Sequence, residues 1–348
     1  MKVDYIIVGC GIAGISFCEQ LKKHQKTFVV FDDNSQQSSS VAGGLYNPVV
    51  LKRFTPVWKC KEQLGIALSL YRQLEVEFDI KLDYKIPVYR KFASLEEQND
   101  WFTASDKPIL SEYLSSKVIK NDNAYIDAPF GFGEVKETGR IDVKTLLDAY
   151  KARLINQGNL VEGTFDFEHL NIEENGINYK EVQAKQLVFS DGYGIKQNPF
   201  FNHLPLVPAK GELLTIYAPD LKINYVLKSA IFLIPLGNHL YIVGATYEWK
   251  DLTNKISDSA KNELLTKLKK LIHCSFEVVN QVAGIRPTVK DRRPLVGQHS
   301  EYKNIYVLNG LGTRGVMIGP YVAEKLYHFI EYQQPLDPEI DIKRFEKA

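Results

Sequence analysis

Three glycines near the start of the chain have the spacing of a phosphate-binding turn. Gly9, Gly11 and Gly14 follow an apolar run at residues 2–8 and open the amphipathic stretch 12–21. The first glycine permits a tight turn, the second lets the backbone approach a pyrophosphate, and the third lets the helix pack on the strand. The helix start adds unpaired N–H groups and partial positive charge. This pattern predicts binding of a dinucleotide phosphate.

A second apolar run, at residues 28–31, ends on Asp32 and Asp33. Asp32 follows Gly14 by 18 residues, a spacing that suits a carboxylate accepting a hydrogen bond from a ribose hydroxyl. The same carboxylate would repel a 2′-phosphate. The order of strand, glycine turn, helix, strand and acid therefore favours a dinucleotide-binding unit over the alternative, an ordinary turn before a helix.

Composition limits the class of protein. A chain of 348 residues with 45% hydrophobic content can bury a large core and predicts two domains. No apolar run approaches the roughly 20 residues of a membrane span. The 43 basic and 42 acidic residues give no sign of a polyanion-binding surface. The four cysteines and seven histidines show no metal-ligand spacing, so we expect reduced thiols, no metal and a cytoplasmic protein. Because the glycine motif begins at the start of the sequence, we also expect no signal peptide.

The later segments alternate between helical and strand patterns. We predict helices over 58–78, 94–103, 139–158 (entered near Asp142), 257–272 and 320–332. We predict strands over 88–92, 160–167, 176–179, 186–190, 213–217, 230–235, 240–245 and 305–308. The chain thus leaves the nucleotide-binding pattern, forms an antiparallel sheet, and returns.

Several motifs, taken in order, resemble the D-amino-acid oxidase, glycine oxidase and sarcosine oxidase family of FAD-dependent amine oxidoreductases. They are GCGIAG at 9–14, QLVFSDGYG at 186–194, PAKGELL at 208–214, GATYEW at 244–249, GIRPTVKDRRPLVG at 284–297 and NGLGTRGVMIGPYVAEKL at 309–326. Within the family, VAGGLYNP at 41–48 and the GLGTRG motif are most similar to an oxidase domain that modifies tRNA wobble uridine, with glycine oxidase next. Lys210 and Asp191 depart from common usage in the family.

The resemblance implies an α/β fold in which a Rossmann-like FAD-binding domain is interleaved with an antiparallel-sheet substrate domain. The FAD-binding domain would comprise 1–57, 136–205 and 284–348, and the substrate domain 58–135 and 206–283. Noncovalent FAD is expected, because no cysteine follows the Arg286 motif.

The resemblance also implies site residues. Arg286 would bind a substrate carboxylate, unless it forms a structural ion pair instead. Tyr247 and Tyr46 would line the substrate pocket, and Arg53 is a weaker candidate. The expected FAD-binding residues are Gly9, Gly11, Ile12, Ala13, Gly14, Asp32, Asp33, Ser40, Gly43, Gly44, Leu45, Phe165, Ser190, Asp191, Gly192, Arg286, Gly310, Gly312, Thr313, Arg314, Gly315, Val316 and Met317.

The expected activity is oxidation of the C–N bond of a small amine or amino acid, such as glycine, sarcosine or a D-amino acid, to an imine. Oxygen or another acceptor would reoxidise the flavin. No Ser-His-Asp set or HExxH motif is visible, and a flavin needs none. The alternative is a stand-alone oxidase that removes a carboxymethyl group from tRNA wobble uridine, against which the balanced charge counts. A non-catalytic flavin-binding module is a third possibility, and the oligomeric state is left open.

Overall fold

The structure, a computed structural model, describes residues 1–174 and 176–346. Its helices are α1 (Ile12–Lys23), α2 (Cys60–Phe78), α3 (Leu95–Ser105), α4 (Leu110–Tyr113), α5 (Val143–Asn156), α6 (Asp258–Lys269) and α7 (Gly315–Tyr332). The first strands are β1 (Lys2–Val8), β2 (Phe28–Asp32), β3 (Leu45–Tyr46), β4 (Val49–Val50), β5 (Thr55–Pro56), β6 (Asp83–Lys85), β7 (Val88–Lys91), β8 (Leu114–Ile119), β9 (Phe132–Val135), β10 (Gly139–Ile141) and β11 (Leu160–Glu162). The remaining strands are β12 (Leu170–Glu173), β13 (Gly176–Tyr179), β14 (Val182–Phe189), β15 (Ala209–Tyr217), β16 (Val226–Lys228), β17 (Phe232–Gly237), β18 (Leu240–Gly244), β19 (Glu277–Arg286), β20 (Leu295–Gln298) and β21 (Ile305–Asn309).

The first sheet has a parallel centre in the order β11, β2, β1, β14 and β21. These strands are short, largely buried apolar runs, as expected when helices cover both faces of a parallel sheet. The antiparallel strands β12, β13 and β20 complete it. Because parallel strands end at the same edge, the loops after β1, β2, β14 and β21 lie side by side, where open α/β sheets bind ligands.

The second sheet has eight strands, in the order β19, β15, β18, β17, β16, β7, β9 and β8. Its neighbours are antiparallel except for β16 and β7, which run parallel. Strands β7 to β9 come from an early segment and β15 to β19 from a late one, so two separate stretches of chain form one sheet. The expected α/β fold, a nucleotide-binding layer interleaved with an antiparallel sheet, is confirmed.

Helix α2 packs on the nucleotide-binding side of the molecule, although the predicted domain boundaries assign it to the substrate domain. The hydroxyl of Tyr71 in α2 donates to the carbonyl of Val316 in α7 at 2.8 Å. The sequence predicted a helix that starts at Pro320, but α7 begins at Gly315 and contains Pro320. The contact with Tyr71 explains how the helix accommodates this proline. A proline has no N–H for the carbonyl four residues earlier, and Tyr71 satisfies that carbonyl instead.

Two other boundaries differ from the predictions. Residues 139–141 form β10, which pairs with β3 and β6, and the helix starts only at Val143. Asp142 caps it by accepting a hydrogen bond from the Thr145 N–H at 3.3 Å. The strand expected over 160–167 ends at Glu162, where its pairing with β2 stops. Within the described part of the chain, no helix is both long and apolar enough to cross a membrane.

Candidate cofactor and substrate site

A cavity of about 810 Å³ lies where the carboxyl edge of the first sheet meets the face of the second sheet. Its volume is typical of a pocket for a cofactor with a small substrate. Most residues that the sequence predicted for the site line this cavity. They are Gly9, Gly11, Ile12, Ala13, Asp32, Asp33, Gly43, Gly44, Leu45, Phe165, Ser190, Asp191, Gly192, Tyr247, Arg286, Gly312, Thr313, Arg314, Gly315 and Val316.

The glycine turn after β1 has the tight geometry that its spacing predicts. Gly9 has φ of +101°, and a Cβ there would lie 2.5 Å from the Ser190 carbonyl oxygen. A Cβ on Gly14 would lie 2.0 Å from the Gly9 carbonyl oxygen, so only glycine lets α1 pack this closely. A Cβ on Gly11 would contact only the side chain of Ser39, which leaves the cavity side of the turn open.

The acid at the end of β2 is held in place by two donors. One oxygen of Asp32 accepts a hydrogen bond from the Cys10 N–H at 3.1 Å. The other lies 2.5 Å from Nζ of Lys151 in α5, forming an ion pair that the sequence did not predict. The two contacts fix the carboxylate at the cavity wall, where it can accept from a ribose hydroxyl.

Arg286 lies at the end of β19 with its guanidinium over the backbone of β15. A Cβ on Gly211 would lie 1.9 Å from Nη2 of Arg286, so the glycine is what admits the guanidinium. The Tyr247 ring covers the guanidinium, with Cζ 4.6 Å from the ring centroid. Nη1 donates to the Thr246 carbonyl oxygen at 3.2 Å. A glycine inside a strand was the sequence signal for this close approach.

Arg286 has no carboxylate partner within ion-pair distance among residues 1–174 and 176–346. Burial lowers the pKa of Arg286, and the nearby Tyr247 partly opposes this effect. Burial likewise lowers the pKa of Arg314, which precedes α7, and the nearby Arg292 lowers it further. Two desolvated guanidiniums therefore face one cavity, an arrangement that favours an anionic ligand.

Six predicted residues lie outside the cavity lining. Tyr46 is buried and donates to Asp83 at 2.7 Å, because Leu45 faces the cavity and side chains alternate along β3. Arg53 is exposed in the turn between β4 and β5. Ser40 is exposed and bonds within its own turn, whereas the Ser39 hydroxyl accepts from the Ile12 N–H at 3.3 Å.

The other three residues outside the lining contribute to packing. Gly14 allows the close contact of α1 described above. Gly310 forms a turn with φ of +72°, and a Cβ there would lie 2.5 Å from Val289. Met317 is fully buried on the inner face of α7. Ser39, Lys151 and Lys228 were not predicted for the site, because only the fold brings them to the site or its support. Gly211 was not predicted either, although its place inside a strand was an available signal.

The comparisons with known proteins agree with this architecture. The model of the family described as FAD dependent oxidoreductase matches residues 4–328. Glycine oxidase of Bacillus subtilis (strain 168) is 22% identical over 352 residues, covering 92% of this chain and 91% of that protein. The crystal structure of glycine oxidase from Geobacillus kaustophilus superimposes with a TM-score of 0.79 at 18% identity, covering 97% of both chains.

A longer relative also matches. The tRNA 5-methylaminomethyl-2-thiouridine biosynthesis bifunctional protein of Haemophilus ducreyi (strain 35000HP / ATCC 700724) is 23% identical over 395 residues, covering 94% of this chain and 56% of that protein.

The chain belongs to the FAD dependent oxidoreductase family. It is therefore an FAD-using enzyme related to the amine and amino-acid oxidases. The site fits this cofactor, since the open glycine turn can hold the pyrophosphate and Asp32 the ribose. Among the described residues, no group of His, Cys, Asp or Glu is arranged to hold a metal ion.

Proposed function

We propose that this enzyme oxidises the C–N bond of a small amine that carries a carboxylate. The observation that carries the proposal is Arg286, a desolvated guanidinium without a carboxylate partner in the described chain, held in the cavity between Gly211 and Tyr247. The N–H groups of its planar fork would donate hydrogen bonds to both oxygens of a substrate carboxylate. Arg314, on the same cavity, would add positive charge to this end of the site.

The residues of the chain would bind and orient the substrate. The ion pair with Arg286 would fix one end of the amino acid, and the Tyr247 ring would restrict its rotation. Bound FAD supplies the acceptor for the hydride and its two electrons. The α-carbon would lose a hydride, the nitrogen would lose a proton, and water would hydrolyse the resulting imine to an oxo acid and an amine or ammonia.

The test begins with the visible spectrum of the purified holoenzyme. Glycine, sarcosine, D-proline and D-alanine are added without oxygen, and the flavin band is followed. Bleaching by one of them supports the proposed function and identifies the substrate class. A flavin band that none of these compounds bleaches contradicts the small amino-acid assignment.

Arg286→Ala is expected to lower kcat/KM for the best amino acid. The decrease should correspond to a loss of about 2–5 kcal/mol of transition-state stabilisation. Arg286→Lys keeps the charge but loses the fork, so its loss should be smaller. Both variants must retain FAD, because the measurement concerns the substrate. Unchanged kinetics in Arg286→Ala would exclude the carboxylate role.

A second candidate is a stand-alone oxidase that acts on a carboxymethylated wobble uridine in tRNA. Two exposed aromatic rings beside the site favour it, since Tyr247 and Trp249 stack with centroids 6.1 Å apart and are 50% and 60% exposed. Exposed aromatic rings are suited to stacking on unpaired bases. The test is to incubate the enzyme with such a tRNA and to follow the modified nucleoside by mass spectrometry. Loss of this turnover in Trp249→Ala would indicate that the base stacks on Trp249.

A further inference from the structure

A third cation, Lys228, lines the same cavity as Arg286 and Arg314, at the end of β16. Its side chain is half-buried, and Nζ lies 5.8 Å from the centroid of the Phe232 ring. In the part of the chain that the structure describes, no carboxylate or carbonyl group lies within hydrogen-bonding distance of this ammonium group. The site therefore contains a half-buried cation that has no anionic partner among the described residues.

The charged side chains near Lys228 favour the binding of an anion beside it. Arg90 and Lys267 are the charged groups that act on it, and both are positive. Arg90 is already bound to Glu97 at 2.6 Å, and Lys267 to Glu263, so their carboxylates are engaged elsewhere. Burial and these cations lower the pKa of Lys228 to about 8. A bound anion would offset both effects and keep the ammonium group protonated.

Lys228 and the backbone under the Arg286 guanidinium lie on strands of the second sheet that are not neighbours. The guanidinium of Arg286 lies over Gly211 in β15, and β18 and β17 separate β15 from β16. Three strand spacings correspond to about 14 Å between the backbones. The wall between the two cations includes Leu213, Phe232 and Ile234, which are apolar. This surface suits an alkyl chain that joins two charged ends.

We propose that Lys228 binds a second anionic group, so that the substrate is an extended amine with an acidic group at each end. The carboxylate next to the reacting amine would bind Arg286, and a carboxylate or phosphate at the far end of an alkyl chain would bind Lys228. This inference deepens the proposed function and rests on it for the identity of the amine.

The kinetic test uses N-(carboxyalkyl)glycines of increasing chain length and N-alkylglycines of matched length that end in a methyl group. At the length that spans the cavity, the acidic tail is expected to raise kcat/KM by about tenfold over the neutral tail. Lys228→Met should abolish this preference, whereas Lys228→Arg should retain part of it. Lys117→Met, an exposed lysine in β8 outside the cavity, is the matched control and should keep the preference.

A preference that survives in Lys228→Met overturns the inference, and so does the absence of any preference at every length. Loss of FAD from Lys228→Met would assign the lysine to the cofactor and overturn it equally. FAD content is therefore measured for each variant before its kinetics.

A binding measurement separates this inference from the proposed reaction. Dicarboxylates and monocarboxylates of matched length are titrated into the holoenzyme while the flavin spectrum is recorded. If no amine is oxidised, but wild type binds a dicarboxylate about tenfold more tightly and Lys228→Met does not, the second anion site stands and the proposed reaction fails. Equal affinities overturn the site even where an amine is oxidised.

Discussion

Asp191 is a carboxyl group of the site whose pKa is raised above its ordinary value. It follows β14 at the cavity wall, and burial raises its pKa to about 6. The amides of Asn198 and Asn309 donate to its two oxygens at 3.2 Å and 2.9 Å, which opposes the effect of burial only in part. The carboxyl group is therefore protonated in mildly acidic solution and ionised at neutral pH.

The folded protein should accordingly lose stability as this group ionises. Because the pKa of Asp191 is higher in the folded state than in the unfolded state, its stabilising contribution is complete below about pH 4 and is lost as the pH rises through about 6. The loss is at most about 3 kcal/mol. Urea unfolding of wild type and Asp191→Asn across this range measures it, and parallel pH curves for the two proteins would contradict the assignment.

At the scale of elements, the contact between α1 and the end of β1 has almost no free space. The position of a Cβ on Gly14 overlaps the Gly9 carbonyl, whereas a Cβ on Gly65, in α2, meets nothing within 4 Å. Both glycines are helical, but Gly14 lies in the first turn of α1 against the end of β1, whereas Gly65 lies in the second turn of α2 with open space beside it. They form a matched pair for testing whether close packing or helix propensity decides the effect of a methyl group.

Gly14→Ala is expected to destabilise the protein by about 1–3 kcal/mol, because the helix must move away from the strand. The displaced turn should also reduce the FAD bound at purification. Gly65→Ala should instead stabilise the protein by about 0.5–1 kcal/mol through helix propensity alone. Unfolding free energies and flavin-to-protein absorbance ratios measure both effects. If both variants change the free energy of unfolding in the same direction, close packing does not decide the effect of a methyl group at Gly14.

At the scale of the whole molecule, residues from both sheets line one cavity, so a cofactor bound there joins the two layers. Cys10 is the single cysteine among the described lining residues, and no histidine is present in that lining. Burial raises the pKa of Cys10 to about 12, so its thiol stays protonated and is a poor nucleophile. These observations favour noncovalent binding of FAD.

Noncovalent binding has two measurable consequences. Acid precipitation should release all of the flavin into the supernatant, and yellow colour in the washed pellet would indicate a covalent bond. Removal of FAD should lower Tm, and its readdition at about 100 times Kd should restore about 2.7 kcal/mol of stability. Differential scanning calorimetry at several FAD concentrations measures this effect.

Features that depend on a few neighbouring residues could be predicted from the sequence. The strand, turn and helix of residues 2–23 follow from apolar periodicity and glycine spacing. The helices after Ser94, Asp142 and Ser257 were predicted near their starts, where each of these side chains accepts a hydrogen bond from an N–H of the first turn. The family motifs added the fold, because they mark the segments that return to the first sheet.

Features that depend on distant segments were decided by the tertiary structure. The orientation of Tyr46 away from the cavity, the start of α7 before Pro320 and the ion pair between Asp32 and Lys151 each require a partner far along the chain. The sequence identified Arg286 as a candidate but left open whether a carboxylate neutralises it. The packing of β15, β19 and the Tyr247 loop decides this point, since it leaves Arg286 without a carboxylate partner among the described residues. Ion pairing depends on which side chains the fold brings within a few ångströms of each other.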